Sequence, residues 1–207
     1  KTTGEEDPAL CEEALAMAAN ADAIVVIAGL TPEYESEGFD RSHMQLPVNQ
    51  LTLMEALTPF HDRTVIILQN GSPVELPFND SIGAILEAYL GGQAGASALA
   101  RIIYGLANPS GKLAETFAHA CADIPSNQWY PGDYRQSQYR EGIWIGYRYF
   151  DTVDKPIAYP FGHGLSYTRF EYSELTIDQP DQPFKDSDTL TVTFSVRNSG
   201  NYAGAET

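Results

Sequence analysis

The sequence predicts an α/β fold: a layered α/β sandwich with a mostly parallel sheet, followed by the first strands of a β-sandwich domain. Three observations predict it. The runs "DAIVVIAGL", "RTVIILQNG" and "IGAILEAYL" are apolar without alternation and of strand length, as strands covered on both faces are. Stretches of helical spacing lie between and around them, which favours parallel crossovers. After Phe170 the pattern switches to period-two alternation, the mark of strands with one wet face.

Taken in order, "DPALCEEALAMAANA" reads as a helix, with Asp7 as its cap and Pro8 in its first turn. "DAIVVIAGL" follows as a strand buried on both faces, then "LPVNQLTLMEALTPF" as a helix. "RTVIILQNG" is a second buried strand closed by Asn70-Gly71, and "IGAILEAYL" a third. "GQAGASALARIIYG" is a helix stopped by Gly105. "NPSGKLAETF" makes a turn and a short extended piece. From about Asp123 to Tyr139 the chain is polar, aromatic and rich in turn formers, a long loop of the kind that often carries function. "GIWIGYRYFD" reads as an aromatic strand, and "PFGHGLSYTRF" as a tight turn holding a satisfied His163. "FEYSELTID" and "TLTVTFSVRNSG" are alternating strands joined by the Pro/Asp-rich "QPDQPFKDSD". The domain boundaries expected are 1–168 for the α/β part and 169–207 for the opening of the β-sandwich.

The formal charge of −16 argues against nucleic acid and against an anionic membrane surface, because no Lys/Arg cluster offers a phosphate footprint. No apolar run has the length of a membrane span. Cys11 and Cys121 have neither CxxC nor zinc spacing and read as two free thiols, with a disulfide as the alternative. The first residues are unlike a signal peptide, and both termini read as cuts in a longer, soluble protein whose compartment is open.

Ligands of open α/β sheets bind beyond the carboxyl ends of the strands. The stretch "TPEYESEGFDR", Thr31 to Arg41, leaves such an end and carries three glutamates and an aspartate. A nucleotide is disfavoured there: GxGxxG and Walker patterns are missing, and Glu33, Glu35 and Glu37 would meet its phosphates. A metal is disfavoured as well, because no histidine joins the set beyond His43 and the spacing is a poor calcium loop. Proton transfer is the chemistry left. Crowded, partly buried carboxyl groups have raised pKa values and serve as general acids near neutral pH. Gly38 permits a tight turn next to Glu37, and Arg41 is expected to pair with Asp40 and fix the far end. Glycoside hydrolysis uses a carboxyl acid/base and a second carboxylate, about 5–5.5 Å apart in retaining enzymes.

The motifs "ESEGFDR", "VIILQNGSPVELPF", "ILEAYLGGQAGASALARIIYGLANPSGKLAETF", "GIWIGYRYFD" and "YPFGHGLSYTRFEYSEL", in this order, resemble the C-terminal half of a family 3 glycoside hydrolase of the β-glucosidase type. The resemblance runs from about Ala21 to the end, and "TFSVRNSGNYAGAET" is similar to the start of that family's fibronectin type III-like domain. It implies a retaining, exo-acting β-glucosidase whose nucleophilic aspartate lies on a (β/α)8 barrel missing from this chain. The acid/base glutamate immediately precedes the loop glycine in such enzymes, which falls on Glu37, with Glu35 in reserve. Tyr34, Phe39 and Trp129 are the candidate substrate contacts, packing of their loops being the alternative reading. No cofactor and no metal are implied. The expected partners are a β-glucoside or oligosaccharide, the barrel segment, and possible further copies of the enzyme. "TFAHACADIP" lacks the proline usual after Thr-Phe, and "GGQAGASA" has alanines where the family often has an acid and a glycine. The rival readings are a β-xylosidase or other glycosidase of the same family, and a carbohydrate-binding or scaffold module without catalysis.

Overall fold

The central strand of the main sheet is the most buried of its three strands. The computed structural model describes residues 3–178 and 185–207. In it β2 (Thr64–Gln69) lies between β1 (Ile24–Gly29) and β3 (Ala84–Glu87), all parallel, with Ile27 opposite Ile67 and Ile66 opposite Ile85. Ile66 and Leu68 are fully buried. Each such side chain contributes roughly 1.5–3 kcal/mol by leaving water. Met54, Val74, Leu76, Phe78 and Phe117 close the core around them.

The helices form where expected. α1 (Pro8–Ala19) begins with Asp7 accepting the Leu10 amide proton, and Asn20 closes it by donating to the Ala16 carbonyl. α2 (Val48–Ala56) buries Met54. α3 (Gly95–Ile103) ends before Gly105, whose φ of 67° is the left-handed turn a helix stop uses. β4 (Phe117–Ala118) pairs antiparallel with β5 (Ile157–Tyr159), and the turn after β5 holds His163 beside the Tyr159 ring, 4.9 Å between centroids. Both cysteines are free. No helix among the described residues is long and apolar enough to cross a membrane.

Three expectations are corrected. The strand at "AIVVIAGL" is not buried on both faces: β1 lies at the sheet's edge and leaves Val25 and Ile27 exposed. The aromatic run "GIWIGYRYFD" is not a strand. Gly146, with φ 54° and ψ −137°, breaks it, and α4 (Tyr147–Val153) starts there with the Gly146 carbonyl accepting from the Tyr149 amide. Only Phe150 of the run reaches the core. The third correction concerns β6 (Phe170–Asp178) and β7 (Thr191–Asn198), which pair antiparallel as expected. A bulge between Ser173 and Thr176, with Glu174 at φ 58°, puts Tyr172 and Ile177 opposite Val196 and Val192. The apolar side is therefore present but uncovered, and both sides of the pair are exposed. The connection "QPDQPFKDSD" lies in part, 179–184, outside the described residues.

The chain divides into two compact units: Lys1–Leu99 with Leu113–His163, and Ala100–Lys112 with Gly164–Thr207. The second unit is tied by Asn108, whose carboxamide donates to the Ala203 carbonyl and accepts from the Ser166 hydroxyl and the Tyr167 amide.

Candidate active site

Parallel strands deliver their carboxyl ends to one edge of a sheet, so the segments that follow β1, β2 and β3 meet there. Gln50 of α2 fixes the end of β1. Its carboxamide accepts from the Gly29 amide and donates to the Gly29 carbonyl, both at 2.9 Å. Gly29 has φ 149°, and a Cβ there would stand 2.0 Å from the Gln69 carbonyl oxygen. Only glycine lets the chain leave the sheet at this point.

The acidic loop is held at both ends by the turn after β2. Glu35 accepts the Gly71 amide at 2.6 Å and the Ser72 hydroxyl at 2.7 Å. Arg41 Nη2 donates to Ser72 Oγ at 2.9 Å and to the Pro73 carbonyl at 3.1 Å. Ser72 thus receives from the loop's C-terminal end and donates to its N-terminal half. Between these anchors lie Glu37 and Gly38, whose φ of 97° makes the sharp turn. Glu37 is exposed and takes no hydrogen bond among the described residues. The expected Asp40–Arg41 ion pair is absent. Arg41 turns to Ser72, and Asp40 instead lies near the Tyr130 hydroxyl, whose pKa it raises. The acidic loop and the long aromatic loop approach each other there.

The aromatic candidates are placed differently from one another. Phe39 is half exposed beside Glu37. Tyr34 lies back on the N-terminal segment, its hydroxyl donating to the Thr3 carbonyl at 3.4 Å. One face of Trp129 is covered by the Arg140 guanidinium, 4.2 Å from the ring centroid. Glu33 donates no anchoring: the Thr31 hydroxyl bonds to it and lowers its pKa.

One further acid escaped the sequence reading. Glu87 ends β3, where its carboxylate accepts from the Tyr89 amide at 2.9 Å and from the buried Asn70 carboxamide at 3.3 Å. Burial pushes its pKa up to about 7 against those bonds, and the Glu35 charge adds to the rise. Asn70 also donates to the Ser72 carbonyl, so the turn that anchors the acidic loop rests on Glu87. An acid closing an apolar strand was the available signal. Among the described residues, no three His, Cys, Asp or Glu side chains are placed to hold a metal. The arrangement is a carboxyl group projected from a doubly anchored loop, suited to passing a proton to something that approaches from outside.

The sequence model described as "Glycosyl hydrolase family 3 C-terminal domain" matches residues 5–167. Thermostable beta-glucosidase B of Acetivibrio thermocellus is 48% identical over 200 residues, which make up 97% of this chain and 26% of that protein. Exo-alpha-(1->6)-L-arabinopyranosidase of Bifidobacterium longum is 40% identical over 202 residues, 97% of this chain and 26% of that protein. The crystal structure of the Bifidobacterium adolescentis GH3 beta-glucosidase superposes with a TM-score of 0.87 at 40% identity, covering 94% of this chain and 28% of that one. The chain spans about a quarter of the length of these relatives. It belongs to the C-terminal domain family of glycosyl hydrolase family 3.

Proposed function

We propose that this chain is the acid/base-bearing segment of a retaining, exo-acting β-glucosidase, and that Glu37 is the acid/base. One observation carries the choice between the two glutamates. Both oxygens of Glu35 are engaged by the Gly71 amide and the Ser72 hydroxyl, whereas Glu37 projects from the same loop without a partner among the described residues. A proton donor must be open to its substrate, and an anchor must not be. Glu37 protonates the glycosidic oxygen as the aglycone leaves, then takes a proton from the water that hydrolyses the glycosyl-enzyme ester. The aspartate nucleophile belongs to a (β/α)8 barrel outside this chain. Phe39, exposed beside Glu37, is the aromatic contact best placed for sugar or aglycone. Tyr34 and Trp129 are secondary contacts, engaged with Thr3 and Arg140. Residues 1–168 form the α/β-sandwich domain and 169–207 open a fibronectin type III-like one, a reading supported by the bulged β6–β7 pair with its uncovered apolar side.

A second reading changes only the sugar. A relative 40% identical over nearly the whole chain is named an arabinopyranosidase, so this segment is compatible with another glycone. The test compares Glu37→Ala and Glu35→Ala in the complete enzyme, on aryl β-glucosides with good and poor leaving groups, with and without azide. The expected result is that Glu37→Ala spares the good leaving group, cripples the poor one and yields β-glucosyl azide. The same pattern from Glu35→Ala alone would move the role to Glu35, and its absence from both would favour a non-catalytic module.

A further inference from the structure

Asn70 follows β2 and is fully buried. Its Nδ2 donates to the Ser72 carbonyl at 2.9 Å and to Glu87 Oε2 at 3.3 Å, while its Oδ1 is buried without a partner. Two N–H bonds alone therefore orient this carboxamide, and one of them goes to Glu87. The other Glu87 oxygen, Oε1, accepts the Tyr89 amide at 2.9 Å. Tyr89 has φ 47°, a left-handed conformation uncommon for an aromatic residue. Such backbone persists only where its surroundings fix it. Glu87 is thus held by its own segment through one oxygen and holds Asn70 through the other.

A relay runs from this carboxyl group to the acidic loop. Asn70 fixes the Ser72 carbonyl. The same turn presents the Gly71 amide and the Ser72 hydroxyl to Glu35, and Ser72 Oγ and the Pro73 carbonyl to Arg41. The relay ends on the placement of the loop, not on Glu37 itself.

Charge decides which form of Glu87 serves. Glu35 faces it from the loop after β1 with a like charge. Arg41 brings a positive charge to the far side of Ser72, and Glu115 adds a negative one against Tyr89. An ionised Glu87 is a half-buried carboxylate that repels Glu35, the group the turn has to hold. A neutral carboxyl group keeps acceptor capacity for Asn70 without that repulsion. With its pKa pushed up to about 7, chiefly by burial, Glu87 is neutral in mildly acidic solution.

We propose that Glu87 is a positioning residue for the acidic loop: as a neutral carboxyl group it holds Asn70 and, through Asn70, the turn on which Glu35 and Arg41 are anchored. Its effect on rate rests on the reading of Glu37 as the acid/base, whereas its effect on the loop does not.

The test uses the complete enzyme as wild type, Glu87→Gln and Glu87→Ala. Glutamine keeps the shape and neutrality of the protonated acid, and alanine removes the grip on Asn70. Hydrogen–deuterium exchange, corrected for the intrinsic pH dependence of amide exchange, reads the loop at about pH 6 and about pH 8. In the wild type, protection of peptides covering residues 31–41 and 70–73 is expected to fall about 3- to 10-fold between the two, the worth of one hydrogen bond. Glu87→Gln should keep the low-pH protection throughout, and Glu87→Ala should lack it throughout. Unchanged exchange over residues 64–69 checks that each variant is folded. Loop protection that ignores pH in the wild type, that still falls with pH in Glu87→Gln, or that survives in Glu87→Ala overturns the role of Glu87. Alongside, kcat/KM is compared on aryl β-glucosides with poor and good leaving groups. The poor-to-good ratio should fall with loop protection in the wild type and stay higher at about pH 8 in Glu87→Gln, with KM little changed. A loop that follows Glu87 while this ratio does not overturns Glu37 as the acid/base and leaves the hold of Glu87 on the loop standing.

Discussion

Ser72→Ala removes one oxygen atom and, with it, the bond from the Arg41 guanidinium at 2.9 Å and the bond to Glu35 at 2.7 Å. Hydrogen bonds to charged groups contribute about 1.5–3 kcal/mol when buried. Here the site is half-buried, and each partner keeps a second bond: Glu35 to the Gly71 amide, Arg41 to the Pro73 carbonyl. The net loss is therefore about 1–2 kcal/mol, and it falls on the placement of the loop rather than on the core. If the loop exists to place Glu37, the same energy appears in the barrier for protonating the leaving group. A loss of 1.36 kcal/mol is tenfold in rate, so kcat/KM on an aryl β-glucoside with a poor leaving group should fall about 5- to 30-fold. A good leaving group needs little protonation, and its rate should fall less than about threefold. Ser72→Thr keeps the hydroxyl and should recover most of the loss. Steady-state kinetics of the complete enzyme on the two substrates, with melting curves alongside, make the comparison. An equal fall on both substrates, or no fall on either, would refute the idea that Ser72 positions the acid.

Two predictions concern the sheet's carboxyl end. The Glu87 pKa is raised from 4.5 to about 7 in the folded protein, so between those values the folded state holds a proton that the unfolded state has lost. Stability should then fall as pH rises from about 4.5 to about 7, by about 1–3 kcal/mol once partial solvent exposure is allowed for. Glu87→Gln should flatten that part of a urea-melt series run against pH, and an unchanged slope would contradict the assignment. Gly29→Ala places a methyl group 2.0 Å from the Gln69 carbonyl oxygen at a φ of 149°. Backbone must move, at a cost of about 3 kcal/mol or more, read as a drop in Tm of roughly 6–12 °C. A variant that melts within 2 °C of the wild type, on that same rough scale, would show that the strand end is softer than this geometry.

What the sequence revealed and withheld divides along the range of the interactions. The parallel strands and three helices were legible because their signals are local: apolar runs, Asp7 before a helix, Gly105 after one. The bulge in β6 was missed, although the sequence carries its signal. Its apolar residues fall at Phe170, Tyr172, Leu175 and Ile177, and the slip of one position is the extra residue that the ladder absorbs at Glu174. The aromatic run around Trp144 misled for a related reason. Aromatic and β-branched content alone reads as a strand, but the positive-φ glycine at 146 ends any strand there, and "IGY" shows no sign of that conformation.

The roles within the acidic loop were beyond local reading. Glu35 and Glu37 stand two residues apart with almost the same neighbours, and any pattern that marks one marks the other. What separates them is the turn at Gly71 and Ser72, 36 and 37 residues away from Glu35. That turn is in reach only because β1 and β2 lie side by side and parallel, so that both carboxyl ends arrive at one edge. The same topology brings in Glu87 from β3, under an asparagine that also holds the turn. A buried acid of raised pKa beneath the anchor means that its protonation and the fixing of Glu35 act on the same few atoms. Raising the pH past about 7 charges Glu87 next to the anchored Glu35 and strains the clamp from below. The loop that displays Glu37 is thus held by carboxylates whose mutual repulsion is offset by Ser72, Asn70 and backbone amides, and the clamp is firmest where Glu87 keeps its proton.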